Sequence, residues 1–142
     1  MIKELNKSTS RLGCLILIIV GGYLLFYFLP GFMTYREKRR LEEAEQWCQV
    51  IQKALAAYKE NQKDHSYPLS IPDWQSLRML AGSQGVNLPD TVSAAKIKAF
   101  RYASANGSDY RLTIDVDLPE DTPWDRFLLV IPNEVTIHKN RP

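Results

Sequence analysis

Residues 12–29, LGCLILIIVGGYLLFYFL, carry no charged side chain, and a helical pattern of apolar residues follows almost at once. At ~1.5 Å per residue the run reaches ~27 Å as a helix, or ~33 Å if it extends through residue 33, which matches the hydrocarbon core of a bilayer. A segment in lipid must satisfy its backbone hydrogen bonds internally, so the expected form is a helix. A buried core helix is the weaker reading. The run is apolar on all sides, and the rest of the chain is too small to enclose it. The expected arrangement is a single-pass tether that continues from lipid into water as one helix over residues 12–62.

The flanks refine this reading. A secretory signal has a short apolar core and then a small-residue cleavage site. Here Pro30, Gly31, Phe32 and Met33 follow, and then Arg36, Lys38, Arg39 and Arg40, so uncleaved anchoring fits better. Leu12-Gly13-Cys14 superficially matches a lipoprotein processing site, but Cys14 begins the apolar stretch where such a Cys should end it. Lys3, Lys7 and Arg11 precede the run, and this near balance of basic residues leaves orientation undecided.

Beyond residue 33 about 110 residues remain, enough for one small domain with a modest core. The formal net charge of +2 offers no electrostatic case for nucleic acid. Cys14 and Cys48 would stand ~50 Å apart on one helix, too far to pair. Cys48 therefore reads as a small buried apolar residue.

In residues 34–63, Ala44, Trp47, Cys48, Ile51, Ala54, Leu55 and Tyr58 recur at steps of three and four, with charged and amide residues on the other face. This is an amphipathic helix continuing the span. Pro30 is expected to bend the helix without ending it. Pro68 and Pro72 mark a loop, Asp73 caps a short helix over residues 74–81, and Gly82 is the expected stop. In the last third, residues 110–118 and 134–138 alternate with period two, 127–131 is a short continuous apolar run and 97–103 is a weaker strand pattern. Residues 97–103, 110–118, 127–131 and 134–138 read as antiparallel strands, with hairpin signals at Asn106-Gly107 and Pro132-Asn133. Trp47, Ile51, Leu55 and Tyr58 are expected to pack on Leu112, Ile114 and Val116. The fold class is α+β: a long N-terminal helix on a small four-stranded antiparallel sheet. The domain order is a basic leader (1–11), a transmembrane helix (12–33), an amphipathic helix (34–63), then loop, short helix and sheet (64–142).

Several stretches together resemble a type IV pilin or a type II secretion pseudopilin. They are Pro30-Gly31-Phe32-Met33-Thr34-Tyr35, then Ile51-Gln52-Lys53-Ala54-Leu55-Ala56-Ala57-Tyr58 with Tyr67-Pro68, and Phe100-Arg101-Tyr102 with Asn106-Gly107-Ser108-Asp109-Tyr110-Arg111-Leu112. The resemblance implies a pilin-like fold and a membrane-anchored structural subunit of a type IV pilus or type II secretion system. It places the leader in the cytoplasm and the C-terminal domain outside it, at a bacterial inner membrane. Its implied partners are the membrane and other pilin-like subunits, met through the N-terminal helix. By the family's pattern a leader would end at Gly13 with cleavage before Cys14. The fifth residue after that point is Ile18 where the family carries Glu, and Pro30 falls about five positions early.

Catalytic chemistry is not expected. His65 and His138 stand apart in polar settings, and no phosphate loop or nucleophile elbow occurs. No enzyme activity, cofactor, metal or small-molecule substrate is expected. Asp115, Asp117, Glu120, Asp121 and Asp125 form an acidic cluster whose oxygens suit calcium. It lacks EF-hand spacing and the turn Gly, and reads as a solvated loop with calcium as the alternative. Gly21-Gly22 is where two helix backbones are expected to approach closely. The alternative function is an independent tethered binding or sensor domain.

Overall fold

Between Thr34 and Asn61 no Pro or Gly interrupts the helical pattern, and helix α1 runs Ile2–Asn61. The computed structural model describes residues 2–120, 122 and 125–139, without the side chains of 2–12, 14, 15, 29, 30 and 33. The helix passes Pro30 without ending and starts ten residues before the expected point. The segment read as a leader is therefore helical from Ile2. The chain forms two compact units, Met1–Arg36 and Glu37–Pro142. Among the described residues, no helix is long and apolar enough to cross a membrane. The unbroken stretch of described side chains, residues 16–28, is shorter than the ~20 residues required. The expected transmembrane helix 12–33 is thus not borne out among the described residues and rests on the amino-acid sequence alone.

The second unit is α+β. Helix α2 (Trp74–Ser83) starts where Asp73 accepts a hydrogen bond from the Ser76 amide at 2.7 Å, as the capping signal implies. Its end corrects the expectation. Gly82 is inside the helix, and Gly85, at φ +75°, takes the left-handed position beyond Gln84. The Val86 amide reaches Ala81 O at 2.9 Å and the Gly85 amide reaches Gly82 O at 3.0 Å, closing the helix with a Schellman motif. A short 3-10 turn, Ser93–Ala95, leads into the sheet.

Strands β1 (Ile97–Ala103), β2 (Arg111–Val116), β3 (Arg126–Ile131) and β4 (Glu134–Lys139) form an antiparallel meander in that order. Two rows cross the inner face. Phe100, Ile114, Leu128 and Ile137 make one, and Tyr102, Leu112, Val130 and Val135 the other. Ile97 pairs with Val116 but Ala99 pairs with Asp115, so a bulge falls between them. It puts Ile97 on the same face as Phe100 and Tyr102, which strict alternation forbids. Pro132-Asn133 makes the expected tight turn. Asn106-Gly107 does not. It lies within a seven-residue loop, 104–110, rather than a two-residue hairpin.

Ala44, Cys48, Ile51, Ala54 and Leu55 of α1 are fully buried in one cluster with Leu112, Ile114, Val116, Leu128 and Val130. The expected stripe is rotated slightly, since Trp47 is only partly buried and Tyr58 is half-buried. The stripe residues contribute ~1.5–3 kcal/mol per large side chain. The ion pairs around them contribute less, at most ~1 kcal/mol each where exposed. Arg40 pairs with Asp117 at 2.8 Å, Arg126 with Glu37 at 2.9 Å, and Gln52 donates to Ile131 O at 2.7 Å. These contacts set where the helix sits along β3.

Two outcomes test this core. Ile114→Asp should cost more than ~4 kcal/mol and abolish the cooperative melt of the second unit, because the charge has no partner at a fully buried site. The Ser76 amide holds the Asp73 carboxyl below its ordinary value. Its contribution is therefore complete above the unfolded carboxylate range, ~3.9, and is lost as pH falls through the lowered value. Denaturant midpoints of Asp73→Ala and the unchanged chain should differ at neutral pH and converge in acid.

Candidate functional site

The first unit presents the chain's largest apolar surface among the described residues. Ile16, Leu17, Ile18, Ile19, Val20, Tyr23, Leu24, Leu25, Phe26, Tyr27 and Phe28 are all exposed, Phe26 at 81 %. Patches of this extent mark membrane or protein contact. Gly21 and Gly22 lie in the middle, and a Cβ built on either meets nothing within 4 Å. The notch is open, so larger side chains fit there without disturbing the chain's own packing. Gly13 lies within α1, exposed. Cys14 shares its helical backbone, and its side chain is outside the described residues.

A second opening on the same helix lies at the end of the charge-free run. Leu25, Tyr27, Phe28, Phe32 and Tyr35 wall an apolar hollow of about 510 Å³ around Gly31. The signal was in the sequence, since aromatic residues three or four apart bracket a Gly on one helix face. Arg36 lies 5.8 Å from the Phe32 ring centre, a cation–π contact at the end of the apolar stretch.

In the second unit the structure brings together residues far apart in the chain. Tyr67 meets Tyr110 edge-on at 4.8 Å, and Tyr110 stacks on Tyr102 at 5.7 Å. The Lys59 ammonium sits 4.6 Å from the Tyr67 ring centre. Tyr102 Oη donates to Pro68 O at 2.7 Å, and the Tyr67 amide donates to Gly107 O at 2.7 Å. The Tyr-Pro segment and the aromatic-x-Tyr and Tyr-x-Leu stretches thus form one cluster. Gly107 is required there. Its φ is +73°, and a Cβ would lie 2.9 Å from Ser66 Cβ. Burial raises the phenols of Tyr102 and Tyr110 above their ordinary value, so neither is a ready proton donor.

The remaining candidates do not converge. Asp117 is engaged by Arg40, Asp115 is half-buried on the outer sheet face, Glu120 and Asp125 are exposed, and Asp121 lies outside the described residues. No group of three or more metal-ligating side chains occurs among the described residues. His138 is exposed and stacks on Phe127 at 5.0 Å, and His65 is an exposed turn residue at φ 49°. Cys48 is buried, and burial pushes its thiol up to about 12, so it behaves as a core residue.

The tyrosine cluster supplies a paired test. Among the described residues, Tyr110 Oη is buried with no hydrogen-bond partner. Tyr110→Phe should leave stability unchanged or slightly raised, because it removes an unsatisfied group. Tyr102→Phe should lose ~1 kcal/mol with its bond to Pro68 O. Thermal melts of the two variants should move apart in that order.

Comparison with protein-family models, curated proteins and solved structures gives no match.

Proposed function

We propose that this chain is a membrane-anchored, pilin-like structural subunit, held by its N-terminal helix and presenting the α+β unit outside the cytoplasm. One observation carries the reading. The charge-free run 12–29 and the helix that forms the core of the α+β unit belong to the same α1. No loop intervenes between the apolar run and the helix that forms the core. The exposed apolar side chains of residues 16–28 and the basic residues at both ends suit a lipid-facing segment. The open notches at Gly21-Gly22 and Gly31 suit close packing against other helices. The role is assembly, with the membrane and like subunits as partners and no chemistry performed.

The alternative is a tethered binding or sensor domain. Ile18, standing where pilins carry Glu, favours it. The two readings separate on Gly21→Leu with Gly22→Leu. An anchor needs only length and apolarity. Helix packing needs small residues, since lipid gives no hydrophobic driving force between helices. The double variant should stay in the membrane fraction through an alkaline wash and lose crosslinking to neighbouring copies. Unchanged crosslinks would select the tethered domain. Release of the unaltered chain by the wash would remove the anchor itself.

A further inference from the structure

The sheet ends in two strands that pair on one side only, β1 and β4. Open edges invite another strand, and charges or bulges usually blunt them. β1 carries Lys98, Arg101 and the bulge, and β4 carries Glu134, His138 and Lys139, the last of which falls at the bulged end of β1 in the register below. The apolar side chains are distributed unevenly about these edges. Ile137 of β4 faces inward in the row of Ile114 and Leu128, which are fully buried, yet it is 47 % exposed. On the opposite flank Leu69 and Met79 are exposed by 67 % and 62 %. They belong to the loop and helix that cover β1, through Pro68 to Tyr102 and through Trp74, 6.0 Å from Phe100. Among the described residues these three are the exposed large apolar side chains of the second unit. Among the described residues, one flank has a strand lacking cover, and the other has apolar cover left over.

We propose that β4 of one copy adds to β1 of the next, head to tail, extending the sheet from subunit to subunit. The number of strands makes this possible. In a four-stranded antiparallel meander the two edge strands run in opposite directions, so a copy brought up by translation pairs its β1 antiparallel to β4. Translation also keeps residues 37–61 of every copy pointing the same way, so each chain enters its helix from the same end. Tethering to one membrane requires this, and here the inference rests on the membrane reading. Pairing β4 with β4 about a two-fold axis would set those helices in opposite directions.

The register follows from the rows. Ile137 opposite Phe100 of the neighbour continues the row Phe100, Ile114, Leu128, Ile137, and Val135 opposite Tyr102 continues the other. Both are apolar pairs of the kind that stabilises adjacent strands. On the outer face Thr136 then opposes Arg101, with Glu134 diagonal to that Arg, an attractive charge pair. The contact uses two different patches, and because successive copies are related by translation rather than by a closing rotation, the product is an open-ended row of copies.

Cysteine crosslinking of the full chain in native membranes tests this. The background is Cys14→Ser, which removes the thiol from the apolar run, while Cys48 is buried. Arg101→Cys with Thr136→Cys in one chain should give dimers, trimers and higher products on oxidation. Either substitution alone should give none, and a mixture of the two single variants should stop at dimers. Adding Ile137→Asp, at a site exposed enough to spare the fold, should remove the ladder. Dimers from Thr136→Cys alone would overturn the proposal in favour of the two-fold edge. So would a double variant that fractionates with membranes but stays monomeric, and that result leaves the anchor reading intact. A ladder from chain recovered outside the membrane would uphold the edge pairing while sinking the anchor.

Discussion

Burial of one stripe of α1 against the sheet is the interaction on which the second unit depends. Ala44, Cys48, Ile51, Ala54 and Leu55 are fully buried, and they meet the inner rows of β2 and β3. A four-stranded sheet with one apolar face has no independent stability in water until something covers that face. The helix is the cover, and the small residues Ala44, Cys48 and Ala54 let it sit close. The polar contacts at Arg40, Glu37 and Gln52 choose its position along β3, at a few points around the core. Arg126 and Glu37 are largely buried and Arg40 and Asp117 partly so, and desolvation offsets much of what such pairs gain, so the apolar burial remains the main source of stability.

That cover is incomplete by geometry. One helix is about 10 Å wide, and strands lie ~4.8 Å apart, so a single helix covers two strands well. β2 and β3 take that place. β1 is covered by α2 and the Tyr67-Pro68 segment, which requires the Schellman end at Gly85 and the docking of Gly107 under Tyr67. Among the described residues β4 has no such cover, which is why Ile137 is exposed while Leu128 beside it is not. The open flank of the unit is thus a consequence of having one long helix and one short one.

Because the stripe belongs to the same helix as the charge-free run, the apolar segment and the folded unit are joined without a loop. In the proposed role this matters physically. A subunit that associates through its apolar segment holds its folded unit close to that of its neighbour, and weak edge contacts then act at high effective concentration.

Much of this was legible along the chain. Period-two alternation in 110–118 and 134–138, the continuous apolar run 127–131 and the weaker stretch 97–103 located the four strands to within a residue or two, and the three-and-four spacing located the stripe, because these patterns report local backbone geometry. Asp73 marked its helix start because a cap acts within three residues. The end at Gly85 instead of Gly82 was missed, since both glycines satisfy the local rule and only packing of Val86 selects between them. Asn106-Gly107 read as a tight turn for the same reason. Its glycine is needed for contact with Ser66 and Tyr67, some forty residues away, which no local rule reports. The bulge at β1 and the tyrosine cluster also depend on neighbours in space. The sequence by itself determined which segments are helix and strand, which face of each is apolar, and that residues 12–29 carry no charge. The tertiary structure decided which apolar faces meet, and that the helix and its companions cover three strands and leave the fourth open.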